Sequence, residues 1–403
     1  MTSRQFVSIP MIAMQTICAA LLVAACGGSS SPAPAPLAST ALPSGAALKP
    51  FSATDPSLSK PEGMALTADG RAWVVLANLD ANYAPAGPAI LAGVTPSTGA
   101  TVNVDLGAGG NDGGVDDEHH CLNAGQVKND GSMLVAACTG GFSTDTRGRG
   151  IVRVDPANGT LVSTAVAPAG FQPSALAAGS SKIWVGDTNT ASLVSYDHTT
   201  FALVDGASTS QPAITLPCTD AADDYLFVSD VLIDGSDMFA LCSGDPDGYI
   251  VQLDSITGAV KGTPQLVGAT PVAMALLGDG RIAIVNSIDE TLALATRSAT
   301  GPTVQKAVYT FEMGAALQDV KARGLFVYTV SSGTNTVQKL DLSQTVASKM
   351  LVGEVNTGDN TYPWNILPLD DNQAVVSNNG TGVLVGVNFA TESADAGVDA
   401  GTH

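Results

Sequence analysis

Residues Pro61 to Val75 read PEGMALTADGRAWVV. A run of small and apolar side chains ends in an Asp-Gly turn, and a second apolar run follows. Two strand-like runs joined by such a turn are the sequence pattern of a β-hairpin. The phrase returns as PSALAAGSSKIWVG from Pro173, PVAMALLGDGRIAIV from Pro271 and PWNILPLDDNQAVV from Pro363. Less regular copies begin at Leu122, Leu226 and Ala315. A second phrase alternates with it. VRVDPANGTLV from Val152 has relatives in AGVTPSTGATV from Ala92 and VQLDSITGAV from Val251. It too is a hairpin, with its turn rich in Asp, Pro, Ser, Thr and Gly.

Two hairpins per unit make four strands, and seven units of this kind predict an all-β, seven-bladed β-propeller. The last unit, ending near Ala390, shows only three strands. A ring must close or leave an exposed edge, so the spare segment AALKPFS from Ala46 is expected to supply the fourth strand. The propeller is therefore assigned to residues 46–391, with an acidic flexible tail at 392–403. The repeat phrases resemble those of the NHL and YVTN families of β-propellers. That resemblance speaks for the fold and leaves function open, because such propellers serve as enzymes and as binding platforms.

The chain has 403 residues, 45% hydrophobic and 13% charged, with a formal net charge of −20. This is too apolar for disorder. Nucleic acid is excluded as a partner, because phosphate contacts need a basic face. An anionic membrane surface is disfavoured for the same reason.

Residues 1–25 carry one Arg near the start and then a mostly apolar run, the pattern of a secretory signal peptide. The run ends in Val23-Ala24-Ala25-Cys26, which resembles the lipobox of bacterial lipoproteins, with Val where Leu is usual. The resemblance implies acylation of Cys26. It also implies the outer membrane, because Gly27 replaces the Asp that favours inner-membrane retention. Residues 26–45 are rich in Gly, Ser, Pro and Ala and read as a flexible tether. Membrane contact is expected through the lipid anchor alone.

Cys121, Cys138, Cys218 and Cys242 remain. In an exported chain they read as two disulfides, with three possible connectivities. Cys121 faces Cys138 across one hairpin, and Cys242 holds in its blade the place that Cys138 holds in its own, with Cys218 nearby. The pairs 121–138 and 218–242 are predicted.

In a four-stranded blade the first-to-second and third-to-fourth turns share one face. Here those turns are tight. The opposite face receives the long segments, including 77–89, 107–120 and 138–150. Long loops on a rigid scaffold commonly carry binding residues. All four cysteines fall on this loop face. Tyr83, Phe142, Arg147 and Arg149 are the candidate contacts, because aromatics and Arg dominate interface energetics.

The stretch GVDDEHHC, 114–121, gathers Asp116, Asp117, Glu118, His119 and His120. The adjacent histidines lack the spacing of zinc pairs. The acids lack the alternate spacing of a calcium loop. A solvated acidic loop is expected, and no cofactor. One alternative comes from calcium-dependent lactonases with related propellers, which place a Glu from an early inner strand in the central channel. Glu62 matches that Glu, and counting back from the turns places Asn123 beside it. The resemblance would imply a metal-assisted lactone or ester hydrolase. The rest of the ring, read as Ser174, Phe227, Val272, Ala316 and Trp364, is too apolar for a metal cage or an acid–base pair. The reading favoured by the sequence is a non-enzymatic, lipid-anchored scaffold that binds an envelope protein or glycan.

Overall fold

The computed structural model describes residues 59–80, 82–107, 121–141, 147–208, 210, 212–219 and 226–390. They form a seven-bladed β-propeller. The inner strands are Pro61–Leu66, Ala124–Asn129, Pro173–Ala178, Phe227–Asp234, Pro271–Leu276, Leu317–Arg323 and Pro363–Pro368. Each opens an antiparallel sheet whose strands follow one another in chain order. Six sheets have four strands, and the seventh, 363–388, has three among the described residues. The expected signal peptide, tether, closing strand from Ala46 and acidic tail fall outside the described residues.

The ring is held by what lies between its blades. Seven separate apolar clusters occupy the seven gaps. Met64 and Val74 of blade 1 meet Leu367 and Val375 of blade 7, which brings the two ends of the ring together. Alternation along each strand makes this possible: neighbouring residues point to opposite faces, and both faces of a blade are covered. That is why second strands such as Ala72–Leu76 are buried throughout. Burying one such Val or Leu contributes roughly 1.5–3 kcal/mol.

Polar links repeat beside the clusters. Every inner strand has a register shift near its start. In four of the seven blades a polar side chain just after this bulge accepts a bond from an inner-strand N–H of the next blade. Asn365 Oδ1 accepts from Met64 N at 3.2 Å, and Gln126 Oε1 from Leu176 N at 3.2 Å. Asp230 Oδ2 accepts from Met274 N at 2.9 Å, and Asp319 Oδ2 from Ile366 N at 3.1 Å. These four residues stay paired in the ladder, opposite Ala137, Leu241, Val330 and Ser377, and each directly follows the residue that the bulge leaves unpaired. Blade 1 carries Gly63 at this position. A Cβ there would sit 2.7 Å from the carbonyl oxygen of Gly125, so the close approach of blades 1 and 2 requires glycine.

Candidate functional site: the loop face and the channel mouth

The two faces differ as the hairpin phrases predict. Turns such as 67–71 and 277–281 are short and lie on one face. On the other, in six of the seven blades the connection into the inner strand is clipped to the loop after the second strand of the same blade. Ala77 N and Asn78 N donate to the carbonyls of Lys60 and Ser59. Thr139 N and Gly140 N donate to those of Asn123 and Leu122. The same pairing joins Ser332 and Gly333 to Ala316 and Ala315, and Asn379 and Gly380 to Tyr362 and Thr361. The residue before the inner strand takes a positive φ in five blades: Lys60, Asn123, Thr270, Ala316 and Tyr362. That backbone is uncommon for residues other than glycine. At each of these residues the carbonyl accepts a clip bond.

Two disulfides reinforce the clips, with the predicted pairing. Cys121–Cys138 has a Cα–Cα distance of 5.2 Å and closes 17 residues. Cys218–Cys242 spans 6.5 Å and closes 24. Each ties a blade-to-blade connection to the end of a second strand.

The inter-blade bonds also define the ring of residues at the channel mouth. Gln126, Asp230, Asp319 and Asn365 are equivalent, so the residues before them align with Glu62. The ring is Glu62, Gly125, Ser174, Ser229, Val272, Gln318 and Trp364. Counting back from the turns therefore misplaces three members. In the hairpins of blades 4 and 6, Asp234 pairs with Asp237 and Arg323 with Phe326, leaving two-residue turns, and blade 2 turns in four residues. Blade 1 uses five residues, between Leu66 and Ala72. The turn Gly stands fourth in blade 1, second in blade 2 and first in blades 4 and 6, so a count made from that Gly moves by two. Asn123, Phe227 and Ala316 consequently lie two residues outward, and Asn123 matches Lys60 rather than Glu62. Asn123 is buried.

Glu62 is partly exposed to the channel, against Gly125, where an added Cβ would come 3.2 Å from its Oε2. Burial pushes its carboxyl from an ordinary 4.5 to about 8, against the opposing pull of the Lys60 ammonium. Two other ring residues are structural links. Ser174 Oγ donates to Val228 O and Ser229 Oγ to Pro271 O, both at 2.7 Å. Deeper in the channel, Lys128 Nζ lies 3.7 Å from Asp230 Oδ1, and Lys321 pairs with Asp319. Burial raises the Asp319 carboxyl, and Lys321 and Lys128 oppose that shift.

The candidate contact residues separate. Tyr83 is 40% exposed, at φ 62°, with Lys60 Nζ 5.2 Å from its ring centre. Arg147 is partly buried. Arg149 is buried, which corrects its assignment as a contact. Its guanidinium donates to Gly141 O at 3.0 Å. Its charge also steadies the buried Asp187 carboxylate, whose affinity for a proton is raised first of all by burial. Phe142 and the run Asp116, Asp117, Glu118, His119 and His120 lie outside the described residues. Among the described residues, no three His, Cys, Asp or Glu side chains gather as a metal would need.

The sequence reading missed Ile288, Met313 and Tyr362, all exposed on the loop face. They sit in short segments, 287–290, 311–316 and 357–362, while loop length drew attention elsewhere. The signal was present: each is a large apolar residue inside a polar turn.

The fold has many solved counterparts. Streptogramin B lyase superposes with a TM-score of 0.60 at 13% identity, over 84% of this chain and 96% of that one. Hydrazine synthase from Kuenenia stuttgartiensis gives 0.62 at 13%, over 84% and 98%. The WD40 repeats of RRP9 give 0.57 at 9%, over 82% and 94%. No family model and no curated protein matches the chain. At these identities the likeness extends to the fold alone, that of a β-propeller.

Proposed function

We propose that this protein is a lipid-anchored scaffold of the cell envelope, held to the outer membrane through Cys26, that binds a protein, glycan or other envelope component on its loop face without catalysis or cofactor. The observation that carries the reading is the loop face itself. Its segments are pinned by paired backbone bonds and two disulfides, yet they expose Tyr83, Ile288, Met313 and Tyr362. A surface held in one conformation loses less entropy on binding. Several large apolar side chains on one pre-formed face give a partner apolar area to cover. The lipid anchor rests on the lipobox-like sequence. Cys26→Ala is expected to release the protein to a soluble fraction or to block signal processing. A variant that stays membrane-bound with normal mature mass would rule the anchor out.

One observation favours a second reading. The Glu62 carboxyl holds its proton to about 8, so it can act as an acid in a lactone or ester hydrolase. The calcium form of that reading fits poorly. Glu62 is the sole acid of its ring, Asn123 lies outside the ring, and a protonated carboxyl is a weak cation ligand. Calorimetric titration with calcium, with ester turnover by the wild type and Glu62→Ala, separates the readings. Turnover lost in the variant would replace the scaffold with an enzyme.

A further inference from the structure

The loop face is not uniform. Ile288 is 47% exposed, Met313 87%, Tyr362 49% and Tyr83 40%. The segments that carry them follow one another around the ring from blade 5 to blade 1. They are joined without a break. Phe311 N donates to Glu290 O, and Gly314 N to the Glu290 side chain. Gly333 N donates to Ala315 O, and Asn335 Oδ1 accepts from Tyr362 N at 3.0 Å. Asn379 N donates to Tyr362 O, and Lys60 Nζ reaches Asn379 O and the Tyr83 ring. The result is one continuous arc with four apolar or aromatic side chains standing on it.

The charge on that arc is predominantly negative. Asp80, Asp289, Glu290, Glu312 and Asp359 lie on it, against Lys60. Asp289, Glu312 and Asp359 are exposed. Among the described residues, no ion pair involves any of these five acids. Every ion pair between two described residues belongs to the turn side or the channel.

From this we infer that the arc from blade 5 to blade 1 docks a protein segment that carries Lys or Arg beside apolar side chains. The inference rests on the scaffold reading above and names the partner's chemistry. Charge complementarity selects the occupant: the acids attract a cationic segment and repel anionic lipid, nucleic acid and acidic peptides. The apolar side chains select again, because a purely polar cation or a neutral glycan leaves Met313 and Ile288 in water. Methionine suits the task, since its flexible thioether adapts to varied apolar partners. Tyr362 adds a ring face that attracts ammonium and guanidinium groups.

The test uses the full chain in nanodiscs of zwitterionic lipid, corrected with empty discs. The probes are short labelled peptides that alternate Lys with Leu, or Lys with Ser, read by fluorescence anisotropy at physiological salt. The Lys/Leu peptide should bind at least about tenfold more tightly than the Lys/Ser peptide. The double variant Ile288→Ser/Met313→Ser should close that gap, while Ile256→Ser on the turn face leaves it intact. Equal affinity for the two peptides, or a gap that survives the double variant, overturns the inference. A photo-crosslinking residue placed at 313 or at 256 in the native envelope then separates the two levels of the argument. Adducts at 313 whose mapped segment is basic and apolar support it. Adducts at 313 with an acidic segment or a glycan overturn the partner's chemistry and leave the scaffold standing. Adducts at 256 and none at 313 overturn both.

Discussion

The two faces of this propeller are built from the same hairpins and treat charge in opposite ways. On the turn face, acids meet bases. Lys261 lies 2.9 Å from Asp237 and 3.3 Å from Asp254. Arg281 pairs with Asp279 at 2.7 Å, and Arg297 with Asp234 at 2.6 Å. Below the blade 2 turn, Asp130 is 3% exposed and faces both Arg153 and His198, at 3.7 and 3.3 Å. On the arc from blade 5 to blade 1, acids stand beside exposed apolar side chains and are held by backbone N–H groups. Asp80 Oδ1 accepts from Asn82 and Ala84, and Asp289 Oδ2 from Ala269. Charge spent on a neighbour stabilises a turn, and charge left facing water is available to a partner. On the proposed reading the turn face serves stability and the arc serves recognition, and that division can be broken experimentally.

The largest loss of stability is expected from the turn face. Asp130→Ala leaves Arg153, itself only 11% exposed, without its carboxylate, and removes the acceptor for Met133 N at 2.9 Å. Removing one partner of a buried pair costs about 3–5 kcal/mol. A urea titration reads that loss, and peptide binding at low temperature should stay at the wild-type level. Binding lost in step with stability would merge the two faces into one unit.

Next comes the 121–138 disulfide. A loop of 17 residues implies about 3 kcal/mol by chain entropy, with smaller values common in practice. Cys121→Ser/Cys138→Ser should therefore lower the melting temperature modestly and leave far-UV circular dichroism unchanged. Global unfolding would show that the inter-blade clusters are weaker than seven buried gaps suggest.

The channel supplies a pH test. The folded carboxyl of Glu62 binds its proton more tightly than the unfolded one, about 8 against 4.5. The stabilising effect is thus complete below 4.5 and is lost as pH rises through about 8. Glu62→Gln keeps the shape and cannot ionise. It should gain roughly 1–3 kcal/mol on the wild type at alkaline pH and nothing in acid. Parallel stability profiles for the two proteins would place Glu62 in ordinary solvent.

Smallest of all is Met313→Ser. A side chain 87% exposed contributes little to folding, and a change within about 0.5 kcal/mol is expected by thermal melting. A larger loss would mean that Met313 packs on its own chain and is not free for a partner.

Much of this molecule was legible as pattern. The recurrence of PEGMAL-like and VRVDPANG-like phrases predicted the blades, because each phrase reports only local geometry: alternation along a strand and a turn of restricted backbone. The disulfide pairs followed from the same hairpin register. The ring at the channel mouth was read correctly in blades 1, 3, 5 and 7 and shifted by two in the others. The place of the Gly within its turn sets that count, and Asp-Gly looks alike in a turn of two, four or five residues. The loop-face contacts were least legible. Arg149 appeared available because it lies in a long loop, yet it turns inward to Gly141. Met313 and Ile288 were passed over because their loops are short.

The sequence alone determined the kind of strand, the number of units, the acidity of the chain and the pattern of an export signal with a lipobox-like end. These depend on residues close together in the chain. Tertiary structure decided what depends on distant residues meeting. Asn365 of blade 7 reaches Met64 of blade 1, and Gly63 must be bare because Gly125 arrives beside it. Exposed side chains from blades 5, 6, 7 and 1 form one arc because the ring sets those blades side by side. A side chain's exposure is fixed by what packs against it from elsewhere in the chain, and no local pattern contains that information.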